Sequence, residues 1–176
     1  MIGFFCKEIR RHRKENTMKK NIRLILLGEA ILLAAIFLFN LFLCNGGLSA
    51  IAYFIDLPSL IVIFAFLIPG LIIMGEGGNF IKAFSVGIHQ YSLLELKNIS
   101  GAVRAAQNLT VFGALFAIII SGMVLLGRLD DLYTIGANLA ICLLAGFYAV
   151  IIEFFLFPLR LNAENKMNEE MDMDDE

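Results

Sequence analysis

The amino-acid sequence predicts an all-α membrane protein with four transmembrane helices in two hairpins and both termini in the cytoplasm. Apolar residues make up 59% of the 176 positions and charged residues only 17%, whereas soluble domains have about 45–50% apolar and about 25% charged residues. The charges are also segregated, because basic residues cluster before the first long apolar run and acidic residues after the last. A water-soluble globular domain is therefore excluded.

Four apolar runs define the predicted spans. A helix needs about 20 mostly apolar residues to cross about 30 Å of hydrocarbon. The predicted organisation is a basic leader at 1–23, a transmembrane domain at 24–158 with spans at about 24–44, 55–74, 109–126 and 135–157, a connector at 75–108, and an acidic tail at 159–176. The first run is too long for a signal peptide, so we expect it to be retained.

The segments between the spans also have predicted structures. The Gly-rich stretch at 75–79 is typical of a turn that ends the second helix. The second half of the connector suggests an amphipathic helix that leads into the third span, and a plain cytoplasmic extension of that span is the favoured alternative. The Met- and acid-rich residues after Lys166 are expected to be disordered.

The distribution of Lys and Arg predicts the orientation. Eight of the 14 basic residues are in the leader, namely Lys7, Arg10, Arg11, Arg13, Lys14, Lys19, Lys20 and Arg23. The connector and tail carry further basic residues, whereas the loops at 45–59 and 127–134 have only Arg128. Cytoplasmic segments are enriched in Lys and Arg, so both termini are expected there. The leader adjoins a span and has no nucleic-acid-binding motif, which favours attraction to anionic lipid over binding of nucleic acid.

The chain has no pattern typical of a catalytic, cofactor or metal site. Cys6, Cys44 and Cys142 lack C-x-x-C or metal-ligand spacing and are expected to be small apolar fillers. His12 and His89 lie outside the spans and far apart, with no nucleophile–base arrangement near them. We therefore expect a protein that is not an enzyme and that binds no cofactor or metal.

The spans differ in the size of their side chains. The first two carry Leu, Ile and Phe around almost the whole circumference, whereas small and weakly polar residues recur on the third and fourth. Small faces let helices approach closely in lipid, so the last two helices are expected to meet other protein and the first two to face lipid. Packing inside a single four-helix bundle is the alternative. The predicted pore- or partner-facing residues are Thr110, Gly113, Ala117, Ser121, Asn138, Ala145, Ala149 and Glu153.

Two carboxylates, Glu29 and Glu153, lie inside apolar runs, each towards the predicted cytoplasmic boundary. The 3.6-residue period places Glu153 on one side of the fourth helix with Asn138, Ala145 and Ala149. The functional interpretation of Glu153 is a waypoint for a proton or cation. The alternative is a carboxylate that reaches the interface or pairs with Arg160.

Three short segments resemble the MotA/TolQ/ExbB proton-channel family, in particular its MotA branch. The stretch FIDLPSL at 54–60 resembles the Ile-Asp-x-Pro-Ser motif at the start of the second helix. The stretch LDD at 129–131, with IG at 135–136, resembles the loop and start of the fourth. The pair FY at 147–148, followed by an apolar run into PL at 158–159, resembles the closing segment. The matching residues are Asp56, Pro58, Ser59, Asp130, Asp131, Gly136, Tyr148 and Pro158.

The resemblance implies a multi-pass subunit of a bacterial cytoplasmic membrane, assembled as a homopentamer around two single-span partner helices. In that family the third and fourth helices line the passage, and the partner carries the carboxylate essential for ion transfer. The implied function is to conduct protons or cations with this partner, or to couple their flow.

The sequence departs from the family at three points. Ala145-Gly146 stands where paired Thr residues are usual. The Gly-Thr of the third helix falls near Ala117-Ile118, where Ser121 is the hydroxyl one turn on. The large cytoplasmic insertion is replaced by the connector at 75–108, which argues against direct flagellar torque. These departures leave open a second interpretation, a structural or adaptor membrane protein that keeps the fold without conducting ions.

Overall fold

A computed structural model describes residues 22–43, 51, 54–86, 88–127 and 132–174. This part of the chain is helical and contains no strand, so the predicted all-α class is confirmed. The loop containing Asp130 and Asp131, most of the leader, and Cys6 and Cys44 lie outside the described residues. The helices are α1 (Ile22–Leu43), α2 (Leu57–Ile73), α3 (Gly77–Ala83), α4 (Leu93–Leu126) and α5 (Leu132–Asp174).

Three of these helices are long and apolar enough to cross a membrane, namely α1, α4 and α5. Helix α2 has 17 residues and is therefore about 26 Å long, slightly short of a full span. It passes the same test only together with α3, to which it is joined by a bend of 110°. Within the described residues the chain thus has three candidate spans, or four if the bent pair is one span, which agrees with a multi-pass membrane protein.

The bend between α2 and α3 is produced by Gly75, which has a φ of +72°. The Gly75 N–H donates to the Ile72 carbonyl at 3.0 Å, and the Glu76 N–H donates to the Leu71 carbonyl at 2.9 Å. This pair of bonds is the Schellman motif, whose left-handed position favours Gly. The predicted turn is therefore confirmed at 75–76, but residues 77–79 already belong to α3, which was not predicted.

Helix α4 begins well before its membrane-spanning part, as predicted for the second half of the connector. The Ser92 hydroxyl accepts from the Glu95 N–H at 3.4 Å, and the Glu95 carboxylate accepts from the Ser92 N–H at 3.1 Å. This capping box satisfies backbone donors at the helix start. The 34 residues of α4 make a helix about 51 Å long, so about 20 Å of it extends beyond the hydrocarbon.

Helix α5 continues through Pro158 to Asp174, so the predicted disorder after Lys166 is wrong for the described residues. Three local interactions explain the continuation. Ala163 is completely buried, Met167 packs against the main apolar cluster, and the Lys166 ammonium lies 3.1 Å from the Glu169 carboxylate. The acidic composition of the tail indicated disorder, although its apolar residues Ala163 and Met167 pack on the rest of the chain.

The core is formed by α4 and α5, with α2 packed on both. The larger apolar cluster joins Leu71 of α2, Ile99 and Val103 of α4, and Leu156 and Leu159 of α5. Helix α1 is peripheral, because only 6% of its span is buried, against 22% and 28% for α4 and α5.

The expectation that α2 faces lipid does not hold for one stripe of this helix, formed by Ser59, Ile63, Leu67 and Leu71, which are buried. Bulky residues of α2 fill the space that small residues leave on α4. The opposite side of α2 remains exposed, as Ile61 and Ile72 illustrate.

Candidate functional site

The interface between α4 and α5 contains a row of polar side chains, which we call the polar seam. Contacts at Ser100–Glu164, Gln107–Glu153 and Ile118–Cys142 run in opposite order along the two helices, so the helices are antiparallel. The members of the polar seam are Ser100, Arg104 and Gln107 on α4, and Glu153, Arg160 and Glu164 on α5.

The inner end of the polar seam is a pair between Gln107, at the end of the predicted connector, and Glu153, within the predicted fourth span. The Gln107 amide donates to Glu153 Oε2 at 2.9 Å. Glu153 Oε1 is buried and has no hydrogen-bond partner among the described residues. A carboxyl group at this depth is costly to place in a membrane helix and marks a functional candidate by default. Gln107 therefore holds one oxygen of this carboxyl group, and the other is left without a partner among the described residues.

The outer end is a four-residue cluster centred on Glu164. Its carboxylate accepts from Arg160 Nε at 2.8 Å and from the Ser100 hydroxyl at 3.1 Å, and Arg104 Nη2 lies 3.6 Å away. The bond from Arg160, aided by Ser100, holds the pKa of the Glu164 carboxyl below its usual range. Because Arg160 pairs with Glu164, the alternative in which it pairs with Glu153 is wrong.

Tyr148 connects α5 to the segment that precedes α2. Its hydroxyl donates to the Phe54 carbonyl and accepts from the Asp56 N–H, each at 2.6 Å. Its side chain is 8% exposed and packs with Ile63 and Ala149. Two segments that carry the resemblance, separated by more than 90 residues in sequence, are thereby joined through a single side chain.

The structure divides the predicted pore- or partner-facing residues into two groups. Ser121, Asn138 and Glu153 are half-buried. The remaining five are buried within the chain itself, namely Thr110, Gly113, Ala117, Ala145 and Ala149. The Thr110 hydroxyl donates to the Ala106 carbonyl of its own helix at 2.9 Å. Most of this small-residue stripe is therefore packed inside the chain itself, as in the bundle alternative.

Gly113 shows how close that packing is. A Cβ built at this position would lie 3.0 Å from Ile63 Cα and 3.2 Å from Phe66 Cβ on α2. The absence of a side chain at Gly113 thus favours this close approach of the backbones of α2 and α4. The small face of α4 is consequently covered by α2.

The other motif residues have different environments. Pro58 is exposed in the first turn of α2, a favourable position for Pro, and Ser59 behind it is buried. Gly136 is exposed near the start of α5, with no atom within 4 Å of a Cβ built there. Pro158 is buried inside α5.

Sequence reasoning missed most of the polar seam. Ser100, Arg104 and Gln107 recur at spacings of four and three residues and so share one face of α4. Glu153, Arg160 and Glu164 share one face of α5 in the same way. Matching these two polar faces in antiparallel register would have identified the pairs.

The described residues contain no group of three His, Cys, Asp or Glu side chains that could hold a metal ion. No protein-family model, curated protein or solved structure matches this chain.

Proposed function

We propose that this chain is the multi-span subunit of a MotA/TolQ/ExbB-type complex. In this proposal several copies form a ring, with five as the expected number, around a single-span membrane partner that carries an acidic residue. The complex conducts protons or cations, or couples their flow to another process. Both termini lie in the cytoplasm, and the four spans form two hairpins.

The observation that carries the proposal is the contact of Tyr148 with the Phe54–Asp56 segment. The resemblance is made of short motifs, and chance matches in an apolar sequence would have no reason to meet in space. Here the Tyr148 hydroxyl bonds to backbone atoms on either side of Ile55. Two of the three motif segments thus contact each other, and this contact holds the segment before α2 against α5.

The Gln107–Glu153 pair supplies the chemical element of the proposal. Glu153 lies inside a predicted span and has one buried oxygen with no partner among the residues that the structure describes. Intramembrane carboxylates commonly mark proton and cation paths. We assign Glu153 as the waypoint within this subunit, between the partner's carboxylate and the cytoplasm.

The ring contact would use surfaces that the subunit leaves open. The first turns of α5 expose small residues at positions 136, 137 and 140, whereas the small face of α4 is covered by α2. A neighbouring helix can approach these small residues closely. The proposed inter-subunit contact is therefore centred on the start of α5 and not on Gly113.

A non-conducting adaptor is the second candidate, and one observation favours it. The hydroxyl of Thr110 is completely buried and occupied by a backbone carbonyl, and Ala145-Gly146 provides no hydroxyl. Few groups remain that could replace the hydration shell of an ion. In this second candidate function the chain keeps the fold and assembles with other proteins, but it conducts no ions.

The mass of the complex extracted in mild detergent tests the assembly. Five copies of the 19.6-kDa chain give about 98 kDa before any partner is added. Native mass spectrometry is expected to find this mass together with a smaller single-span protein. A monomer or dimer without a partner under the mildest extraction contradicts the proposal.

Ion flux into proteoliposomes that contain the purified complex distinguishes the two candidates. Glu153→Gln keeps the shape of the side chain and an oxygen that accepts from Gln107, but it cannot ionise. Glu29→Gln is the matched control, because Glu29 is also a half-buried acid within a span, but on the peripheral α1. The conducting proposal expects loss of flux in Glu153→Gln only. Equal flux in both variants and the wild type removes Glu153 from the path, and no flux in any of them favours the adaptor.

A further inference from the structure

Helix α3 has an apolar stripe along one face, which we call the α3 stripe. Its members line an apolar groove beside α2, and they are Gly77, Phe80, Ile81 and, directly after the helix, Phe84. Spacings of three and four residues place them on the same side of a helix. The α3 stripe is open to the surroundings of the chain, because Ile81 is 72% exposed and Phe84 is 43% exposed.

The polar residues of α3 lie off the stripe and are held by neighbouring groups. Asn79 Nδ2 donates to Glu76 Oε2 at 2.9 Å. The Lys82 ammonium lies 3.3 Å from the Glu95 carboxylate, at the start of α4. Neither Asn79 nor Lys82 lines the groove. The charge of Lys82 is therefore directed towards α4 and away from the α3 stripe.

Packing on the bundle fixes which side of α3 is open. Ala83 is completely buried and belongs to the main apolar cluster with Leu96 and Ile99 of α4. Val86 is also buried, and its carbonyl accepts from Asn162 Nδ2 at 3.0 Å. Rotation of α3 to bury the α3 stripe would break these contacts, so the exposure of the stripe is set by the fold.

The α3 stripe continues the exposed apolar surface of α2. On α2 the groove is lined by Phe64, Ile68 and Ile72 among others, and these three are between 42% and 68% exposed. Every residue that lines the groove is apolar. The exposed face of an apolar membrane helix contacts lipid acyl chains. Because the same surface passes from α2 onto α3 without a polar residue, its continuation on α3 meets the same lipid.

The angle between the two helices places α3 along the membrane surface. Helix α3 turns by 110° from α2, so it is inclined by about 20° to the membrane plane when α2 is perpendicular to that plane. Its seven residues make a helix about 10 Å long, far shorter than the hydrocarbon thickness of about 30 Å. Helix α3 therefore lies at the surface where α2 ends and does not cross the bilayer.

We propose that α3 is an interfacial helix, which inserts the α3 stripe among the phospholipid acyl chains beside α2 and keeps Asn79 and Lys82 on the aqueous side. Amphipathic helices of this kind bury their apolar face by about 5–10 Å at the boundary between headgroups and acyl chains. The partner is the bilayer surface, and the contact requires no particular headgroup. The inference uses contacts within one chain, so it does not depend on the proposed ion coupling or on the number of subunits.

Single Trp residues can report the depth of α3, because the chain has no Trp of its own. The test variants on the α3 stripe are Ile81→Trp and Phe84→Trp. Asn79→Trp is the matched control on the polar side of the same helix. Ile31→Trp is the reference for deep lipid contact, because Ile31 lies near the middle of α1 and is 69% exposed. Each full-length protein is reconstituted into phosphatidylcholine vesicles whose acyl chains carry bromine either near the headgroup or near the terminal methyl group.

Bromine near the headgroup should lower the emission of both stripe variants by about twofold or more, and bromine near the terminal methyl group should lower it less, because the helix inserts by only about 5–10 Å. Asn79→Trp should be quenched less than about half as strongly as the stripe variants. Ile31→Trp should show the opposite order of the two lipids. Stripe variants quenched no more than Asn79→Trp would overturn the proposal, because water or another protein would then cover the stripe. Strongest quenching of the stripe variants by bromine near the methyl group would also overturn it, because α3 would then be re-entrant.

A measurement on the unchanged protein is needed as well, because Trp itself favours the membrane interface. The wild-type chain is reconstituted with phosphatidylcholine that carries a photoreactive diazirine on the acyl chain near the headgroup, and the lipid adducts are located by mass spectrometry after irradiation. Adducts are expected at residues 80–84, and at residues 168–172 of α5 they should be at least about fivefold fewer, because that segment lies beyond the interface. Equal labelling of the two segments, or no labelling at 80–84, would overturn the proposal.

Discussion

Enlarging Gly113 by a single methyl group tests the contact between α2 and α4 directly. A Cβ at this position would lie 3.0 Å from Ile63 Cα and 3.3 Å from the Ile63 carbonyl oxygen. Both are backbone atoms, so no side-chain rotation relieves the contact, and α2 must move outward by a few tenths of an ångström. Overpacking of this kind costs about 1–3 kcal/mol, of which the higher helix propensity of Ala recovers up to about 1 kcal/mol. We expect Gly113→Ala to lose about 1–2 kcal/mol of stability.

For a chain of this length that loss lowers Tm by about 2–8 °C. Circular dichroism in detergent is a suitable measurement, because the chain has no Trp. Gly122→Ala is the first control, since a Cβ there meets no atom within 4 Å. Gly70→Ala is the second, because its Cβ meets the end of the Leu109 side chain, which can rotate. Both controls should keep Tm within about 2 °C of the wild type or raise it. A Tm for Gly113→Ala at or above the wild-type value would refute the packing described above.

Three further perturbations address the polar contacts. Tyr148→Phe removes both hydrogen bonds to the segment before α2 and should lower the free energy of unfolding by about 1–3 kcal/mol. Hydrogen exchange at residues 54–57 is expected to become faster. Unchanged exchange there would contradict the role of the hydroxyl. A double-mutant cycle on Gln107→Ala and Glu153→Ala should give a coupling of about 0.6–1.7 kcal/mol, typical of hydrogen bonds between membrane helices, and a coupling near zero would mean that the pair does not form. Because the pKa of Glu164 is lowered in the folded protein, its pairing stabilises the fold above the unfolded pKa of about 4.3 and is lost as the pH falls through the folded value. With a side chain 30% exposed, the effect should be under about 1 kcal/mol, and Glu164→Gln should show a smaller fall in Tm between neutral pH and about pH 3 than the wild type.

The features that sequence predicted best are those set by local composition. The apolar runs predicted the membrane helices, because a span of about 20 apolar residues is a strong and local signal. The turn after α2 was also predicted from a local signal, the Gly-rich stretch, because a left-handed backbone conformation favours Gly. The continuation of α4 into the connector was also predicted, whereas its capping box at Ser92 and Glu95 was not.

The features that sequence did not predict depend on which surfaces meet. The small stripe through Gly113 was visible, but side-chain size alone cannot tell a neighbouring subunit from another helix of the same chain. A pairing of Arg160 with Glu153 was one alternative from sequence, but the structure pairs Arg160 with Glu164, one turn further along the same helix. The helical tail was not predicted, because its acidic composition indicated disorder and did not reveal that Ala163 and Met167 pack against the apolar cluster.

The unbroken length of α4 has a mechanical consequence. The residues from 93 to 108 continue the span as a rigid lever about 24 Å long, and no Pro interrupts α4. A change of about ten degrees in the tilt of the span would move the tip of this lever by about 4 Å. The bond from Ser100 to Glu164 and the bond from Asn162 to the Val86 carbonyl attach α5 and the α3–α4 turn to it, so all three would travel together. A small change in the tilt of the span would thus displace the tip of this helical extension by about 4 Å outside the bilayer.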